Sequence, residues 1–259
     1  MVVKIVRWLF GAAFCAALVF ASEAKTTKKP SKHSSSAHTG QKSAKPDESS
    51  LPPEPLPSPS ASPSPSATPG SGRNVSLEIS ELDDFASQPE PVQKLIETAL
   101  ALTKQSLTYI YGSDDPANGG MDCSGFVSFV LRKNGIADVP RDASSQYVWV
   151  RKSEKFEAVL SRKKDSFELE HLQPGDLLFW TGTYTTQKDP PVTHTMIYLG
   201  KEKSGKRVMV GSSDGRTYDG VSRWGVSVFD FKIATKPPGP EAKIAPMFVG
   251  YASIPGLRE

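Results

Sequence analysis

The sequence predicts an α+β fold in which N-terminal helices pack on a C-terminal antiparallel sheet, preceded by a disordered Pro/Ser-rich stalk. Three observations predict it. Composition changes near residue 75, from a Lys/Ser/Pro tract to a mixed sequence rich in apolar residues. Apolar residues recur at helical spacing in two segments between residues 89 and 135. Beyond residue 175 the chain turns to short β-rich runs bounded by Gly, Pro, Asp and Ser. Helices first and strands later is the order of an α+β domain.

The chain begins MVVKIVRWLFGAAFCAALVFASEA, with Lys4 and Arg7 ahead of an uncharged, mostly apolar run from Trp8 to Ala21. Small residues follow, so residues 1–24 are read as a secretory signal peptide, cut after Ala21 or Ala24. The run is shorter than the roughly 20 apolar residues a spanning helix needs, so a retained anchor is the lesser reading. Phe14 precedes Cys15, which is not the small residue that a lipid-bearing cysteine requires. Residues 25–75 hold little beyond Lys, Ser, Pro and Ala. Nothing there offsets the entropy of ordering, so the segment is read as a disordered, semi-rigid linker.

Residues 76–259, about 180 in all, are long enough for one sizeable core. Within PEPVQKLIETALALTKQ (89–105), Val92, Leu95, Ile96, Ala99, Leu100 and Leu102 line one face of a helix that opens on Pro89 and Pro91. The loop YIYGSDDPANGG leads to a second helix, CSGFVSFVLRKNG, stopped by Asn134-Gly135. The segment from Val150 to His171 is charged and reads as a surface insertion. Five strands are expected at 176–180, 194–200, 207–211, 225–231 and 247–254.

Charge and residue counts exclude several functions. A formal net charge of +3 is too small to imply nucleic acid. The basic stretch KTTKKPSKH would make at most weak contact with an anionic wall or membrane surface. With 4 His and 2 Cys in the chain, no zinc site is expected, nor any cofactor. The chain is read as a monomer.

Once the leader is removed, Cys123 is the single cysteine left and has no internal disulfide partner. Such a residue is either a buried small hydrophobe or a reactive thiol. Its position favours reactivity. It falls at the first turn of the second helix, where unsatisfied N–H groups favour a thiolate. Asp122 is suited to cap that helix, and Ser124 and Gly125 are small enough for a substrate backbone to approach. A cysteine nucleophile needs a base. His33 and His38 fall in the linker and His171 in the charged segment, whereas His194 opens the strand HTMIYLG.

DCSGFV (122–127), PGDLLFW (174–180) and HTMIYLG (194–200), in that order, resemble the NlpC-type family of cell-wall cysteine peptidases. Tyr109 in YIYG and the run VPRDASSQ (139–146) resemble two further family elements, and the likeness covers most of 90–215. The resemblance implies a papain-like fold and hydrolysis of peptidoglycan stem peptides, commonly between D-glutamate and a diamino acid. It implies Cys123 as nucleophile and His194 as its ion-pair partner and proton donor. It also implies an oxyanion site at the Cys123 N–H and the Tyr109 hydroxyl. Tyr109, Asp122 and Ser124 would hold a free amino end, and Arg141 a carboxylate or the fold itself.

The sequence departs from the family at the polar residue that orients the histidine. The expected position falls at or near Gly211, and Ser212 is taken as the third member. Ser213, Asp214, a backbone carbonyl or a water would serve the same purpose. Gly112-Ser113 and Asp142-Ala143 replace the family's Gly-Gly and Thr-Ser pairs. Two alternatives stay open: a wall-binding module with little catalysis, and a thiol amidase or acyltransferase on the same scaffold.

Overall fold

The computed structural model describes residues 74–233, 239 and 244–258. The expected leader, and the expected linker up to residue 73, lie outside the described residues. As the sequence predicts, the fold is α+β: the described residues form three α-helices and a six-stranded antiparallel sheet. Helix α1 (Glu90–Thr103) starts behind Pro89 and buries Val92, Leu95, Ile96, Ala99, Leu100 and Leu102, the stripe that its spacing dictates. A two-residue strand β1 (Thr108–Tyr109) pairs in parallel with β2 (Gly120–Met121), and β2 feeds straight into α2 (Cys123–Lys133).

Helix α3 (Ala143–Lys152) has no counterpart among the sequence expectations. Its buried positions are Ala143, Ser144, Gln146 and Val150, so its inner face carries too few large apolar side chains to show a helical period. Asp142 caps it, accepting the Ser145 N–H at 3.1 Å.

The sheet order is β3-β8-β4-β5-β6-β7, with β3 Phe156–Ala158, β4 Leu177–Thr181, β5 Val192–Lys201, β6 Arg207–Tyr218, β7 Val221–Asp230 and β8 Met247–Ala252. Both faces are buried. Leu177, Phe179, Ile197, Leu199, Val208, Val210, Val226 and Val228 join the helices in one core. Their strand neighbours Leu178, Trp180, Met196, Tyr198, Met209 and Phe229 form a second core on the other side.

The segment 150–171, expected as a surface insertion, is mostly exposed but also helps to cover that second core. β3 pairs with β8, and Val159 and Leu169 are 3% and 4% exposed against the second face. A sheet apolar on both faces needs a cover on each, and this charged segment lends its few apolar residues to that purpose. His171 itself is exposed.

β5 and β6 separate at one end. Their register runs from Lys201↔Arg207 to Ile197↔Val210. Beyond it, residues 192–196 stay with β4 and residues 211–218 stay with β7. The start of α2 reaches both arms of this opening.

Candidate active site

The first turn of α2 is held by a dense polar network. Asp122 caps the helix, its Oδ1 accepting the Gly125 N–H at 2.7 Å while its Oδ2 accepts the Gly112 N–H at 2.8 Å. Arg141 donates Nη1 to Oδ1 at 3.0 Å and Nη2 to Oδ2 at 2.8 Å, and Ser124 Oγ donates to Oδ1 at 3.2 Å. Five donors thus converge on one carboxylate. Arg141 also reaches Ser124 Oγ at 3.2 Å. Asp122, Ser124 and Arg141 therefore do meet, but they satisfy one another, and Arg141 serves the fold in this state. Gln146, from VPRDASSQ, braces the same turn: its Nε2 donates to the Ser124 carbonyl at 3.0 Å and to Ser128 Oγ at 3.1 Å.

Gly125 is small for a different reason than substrate access. A Cβ there would stand 2.1 Å from the Ser113 carbonyl oxygen. That carbonyl accepts the Asp122 N–H at 3.0 Å, so the missing side chain lets the 110–115 loop lock the helix start in place. Ser113, one of the departures from the family pattern, pins the same loop by donating Oγ to the Gly120 carbonyl at 2.8 Å.

Cys123 Sγ lies 3.9 Å from the Thr193 carbonyl oxygen, with the N–H groups of Thr195 and Ser124 directed at it. The sulfur therefore sits against the β5 backbone on either side of His194. His194 lies opposite Trp180 across the β4–β5 ladder, with ring centroids 5.7 Å apart. Tyr109 and Tyr184 both lie close enough to feel a charge on the sulfur. Tyr184 is 41% exposed and Tyr111 77% exposed, so aromatic rings rim the site.

Burial sets the resting protonation. Cys123 and His194 are 5% and 6% exposed. Desolvation, reinforced by the Asp122 charge, pushes the Cys123 thiol up to about 12, against the lowering effects of the two N–H groups and Arg216. Desolvation, then the Arg216 charge, holds the His194 imidazole well below its usual range. The sequence reading expected the helix N-terminus to favour the thiolate. A helix terminus contributes on the order of 1 kcal/mol, and loss of water from a buried ion outweighs it. At rest the thiol and the imidazole are both neutral.

Ser212 is turned away from the imidazole. Strand alternation puts it on the helix-covered face with Val208 and Val210, where its Oγ donates to the Met121 carbonyl at 2.6 Å. Nor would a larger residue at Gly211 serve, because its Cβ would meet Met196 Cγ at 2.9 Å. The polar side chain that reaches the ring is Arg216, which sequence reasoning missed. Its Nε donates to His194 Nε2 at 3.2 Å, and its guanidinium carbon lies 4.1 Å from the Trp180 ring centroid. The groups expected to orient the ring lie at 212–214, whereas Arg216 is a donor five residues beyond Gly211. The one sequence signal was Gly215 beside Arg216, a mark of an irregular strand.

The described residues form an α+β domain that lays a helix-start cysteine against the backbone flanking a strand histidine. Residues 106–221, the segment that holds Cys123, His194 and Arg216, match the model of the NlpC/P60 family. Two relatives, each named probable endopeptidase p60, come from Listeria seeligeri and Listeria welshimeri. They are 30% and 31% identical over 126 residues, which is 48% of this chain and 19% of each relative. The chain therefore matches about a fifth of their length. A solved structure from Staphylococcus aureus subsp. aureus Mu50, described as similar to a lipoprotein of the NLP/P60 family, is 26% identical. It covers 56% of this chain and 43% of its own, with a TM-score of 0.36.

Proposed function

We propose that the protein is an exported cysteine endopeptidase that hydrolyses peptidoglycan stem peptides at a D-glutamyl–diamino acid bond. The observation that carries this reading is the seating of Cys123 Sγ against the backbone on both sides of His194. The NlpC/P60 match and relatives named as endopeptidases support it.

The neutral resting pair defines how the reaction starts. The thiol proton passes to His194 as the sulfur attacks the scissile carbonyl, so the charge forms only when substrate has displaced water from the site. The tetrahedral oxyanion falls at the N-terminus of α2, next to the Cys123 N–H and the Tyr109 hydroxyl. His194 then returns the proton to the leaving amine, and water releases the acyl group from the sulfur. Asp122, with Ser124 beside it, would accept a substrate ammonium only by giving up one of its present donors, of which Arg141 is the one that can swing away.

Cys123→Ala and His194→Ala should each abolish release of short peptides from purified peptidoglycan, read by mass spectrometry of the products from defined muropeptides. Undiminished product from either variant overturns the mechanism. The 5% exposure of Cys123 favours the second reading, a wall-binding module with little catalysis. That reading stands if wild type binds sacculi without cutting them.

A further inference from the structure

We infer that Arg216 positions His194 and holds it at rest as the neutral tautomer with its proton on Nδ1. The inference rests on the peptidase reading for its catalytic meaning, but its geometry stands apart from it.

A guanidinium has five N–H donors and no acceptor. An arginine Nε–H directed at His194 Nε2 at 3.2 Å therefore needs a lone pair on that nitrogen. A neutral imidazole has one bare nitrogen, so the proton is on Nδ1. An imidazolium carries N–H at both positions, and its Nε2–H would face another donor. The acceptors that usually orient a catalytic histidine favour the imidazolium; a donor in that place favours the neutral ring.

The strand is built to deliver this side chain. Regular alternation would send residue 216 to the same face as Ser212. The β6–β7 register shifts between Asp214 and Thr217, and Gly215 sits at φ +141° within the shift. The irregularity turns Arg216 back toward Trp180, whose ring the guanidinium covers at 4.1 Å. Trp180 is itself opposite His194, so one aromatic ring backs both partners.

The charged and titratable groups around the imidazole agree with this assignment. Cys123 of α2, uncharged at rest, lies against the strand backbone on either side of His194, with the Asp122 charge near the sulfur. From β6 come Arg216 and, beside it, Asp214. Tyr109 of β1 and Tyr184 lie near the Cys123 sulfur, both with phenols held protonated by burial. None of these supplies a negative charge in contact with the ring. Burial lowers the Arg216 guanidinium to about 10, which leaves it cationic at neutral pH.

The consequence for catalysis is that the one lone pair of the base is engaged. His194 takes the Cys123 proton only after Arg216 withdraws, and a substrate carboxylate is the chemical group that would draw it off.

The test is nitrogen-15 NMR of the histidine ring in the full-length protein, with the His194 signal assigned by its loss in His194→Gln. Wild type should show the Nδ1–H tautomer at pH 7 and stay neutral below pH 6. Arg216→Gln, which offers an acceptor, should raise the His194 midpoint by at least one unit, a tenfold rise in imidazolium at a given pH. Arg216→Lys, a donor without an acceptor, should keep the midpoint low. An Nε2–H tautomer in wild type, or an unmoved midpoint in Arg216→Gln with a wild-type melting curve, overturns the inference. If Arg216→Gln melts early, the wild-type tautomer alone decides. Failure of the peptidase reading shows separately, as absence of peptide release from an enzyme whose His194 still titrates as described.

Discussion

At the scale of single residues, burial repeatedly outweighs local electrostatics in this protein, and Asp176 shows it away from the site. It immediately precedes β4 within PGDLLFW and is 2% exposed. Its Oδ2 accepts the Gln173 N–H at 2.8 Å, and Arg258 Nη2 stands 3.6 Å from Oδ1. Desolvation wins over both partners and raises the carboxyl to about 6. A carboxyl raised in the folded state keeps a proton that the unfolded chain has already released. Stability therefore falls as pH rises from about 4 to about 6, by roughly 2–3 kcal/mol from this group. Asp176→Asn retains an acceptor for Gln173 and removes the titration. Urea unfolding at pH 4 and pH 7 should show a smaller loss in Asp176→Asn than in wild type by about that amount. Equal losses in the two proteins would mean that Asp176 is not the group responsible.

At the scale of elements, the position of α2 decides whether a site exists, and Gly125 controls that position. A Cβ at residue 125 would overlap the Ser113 carbonyl and come within 2.9 Å of Asp114 Cα, both backbone atoms that cannot rotate away. Gly125→Ala should push α2 from the loop and cost about 1–3 kcal/mol as an overpacked contact. The Asp122 amide, bonded to Ser113, should lose hydrogen-exchange protection selectively. Protection unchanged at Asp122 would show that the loop follows the helix without cost. The same elements show what a sequence makes legible. α1 and α2 were readable because large apolar residues and capping residues coincide, and β4, β5, β7 and β8 because their apolar runs are bounded. α3 was hidden by an inner face of Ala, Ser and Gln. The full length of β6 was hidden because SSDG reads as a turn, while pairing with β7 carries the strand on to Tyr218. In the candidate site, the expectation for Cys123 and His194 rests on their positions at a helix start and a strand start together with the NlpC-type resemblance. Arg216 depends on a register shift, a property of two paired strands rather than of the local sequence.

At the scale of the whole molecule, the described part of the chain is closed by a segment that composition alone would assign to the linker boundary. Val75 accepts the Val228 N–H at 2.9 Å, and its own N–H is accepted by Ser227 Oγ at 2.8 Å. Further on, Leu77 and Leu82 are 5% and 4% exposed in the helix-side core, and the Asp83 N–H donates to the Lys201 carbonyl. Residues 74–83 thus run from β7 to the turn after β5 and cover the outer strands, so the domain includes residues ahead of the expected boundary at 76. Burying a leucine contributes about 1.5–3 kcal/mol, so the two together contribute roughly 3–6 kcal/mol before the backbone hydrogen bonds are added. Against a total stability of about 5–15 kcal/mol for a domain, that is a large share. A chain starting at residue 74 should therefore unfold at the same denaturant midpoint as a longer one. A chain starting at Pro89, one residue ahead of α1, should be markedly destabilised or fail to fold, although it retains every residue of the site. Matching midpoints for the two truncations, read by urea unfolding under identical conditions, would show that residues 74–83 rest on the sheet without supporting it.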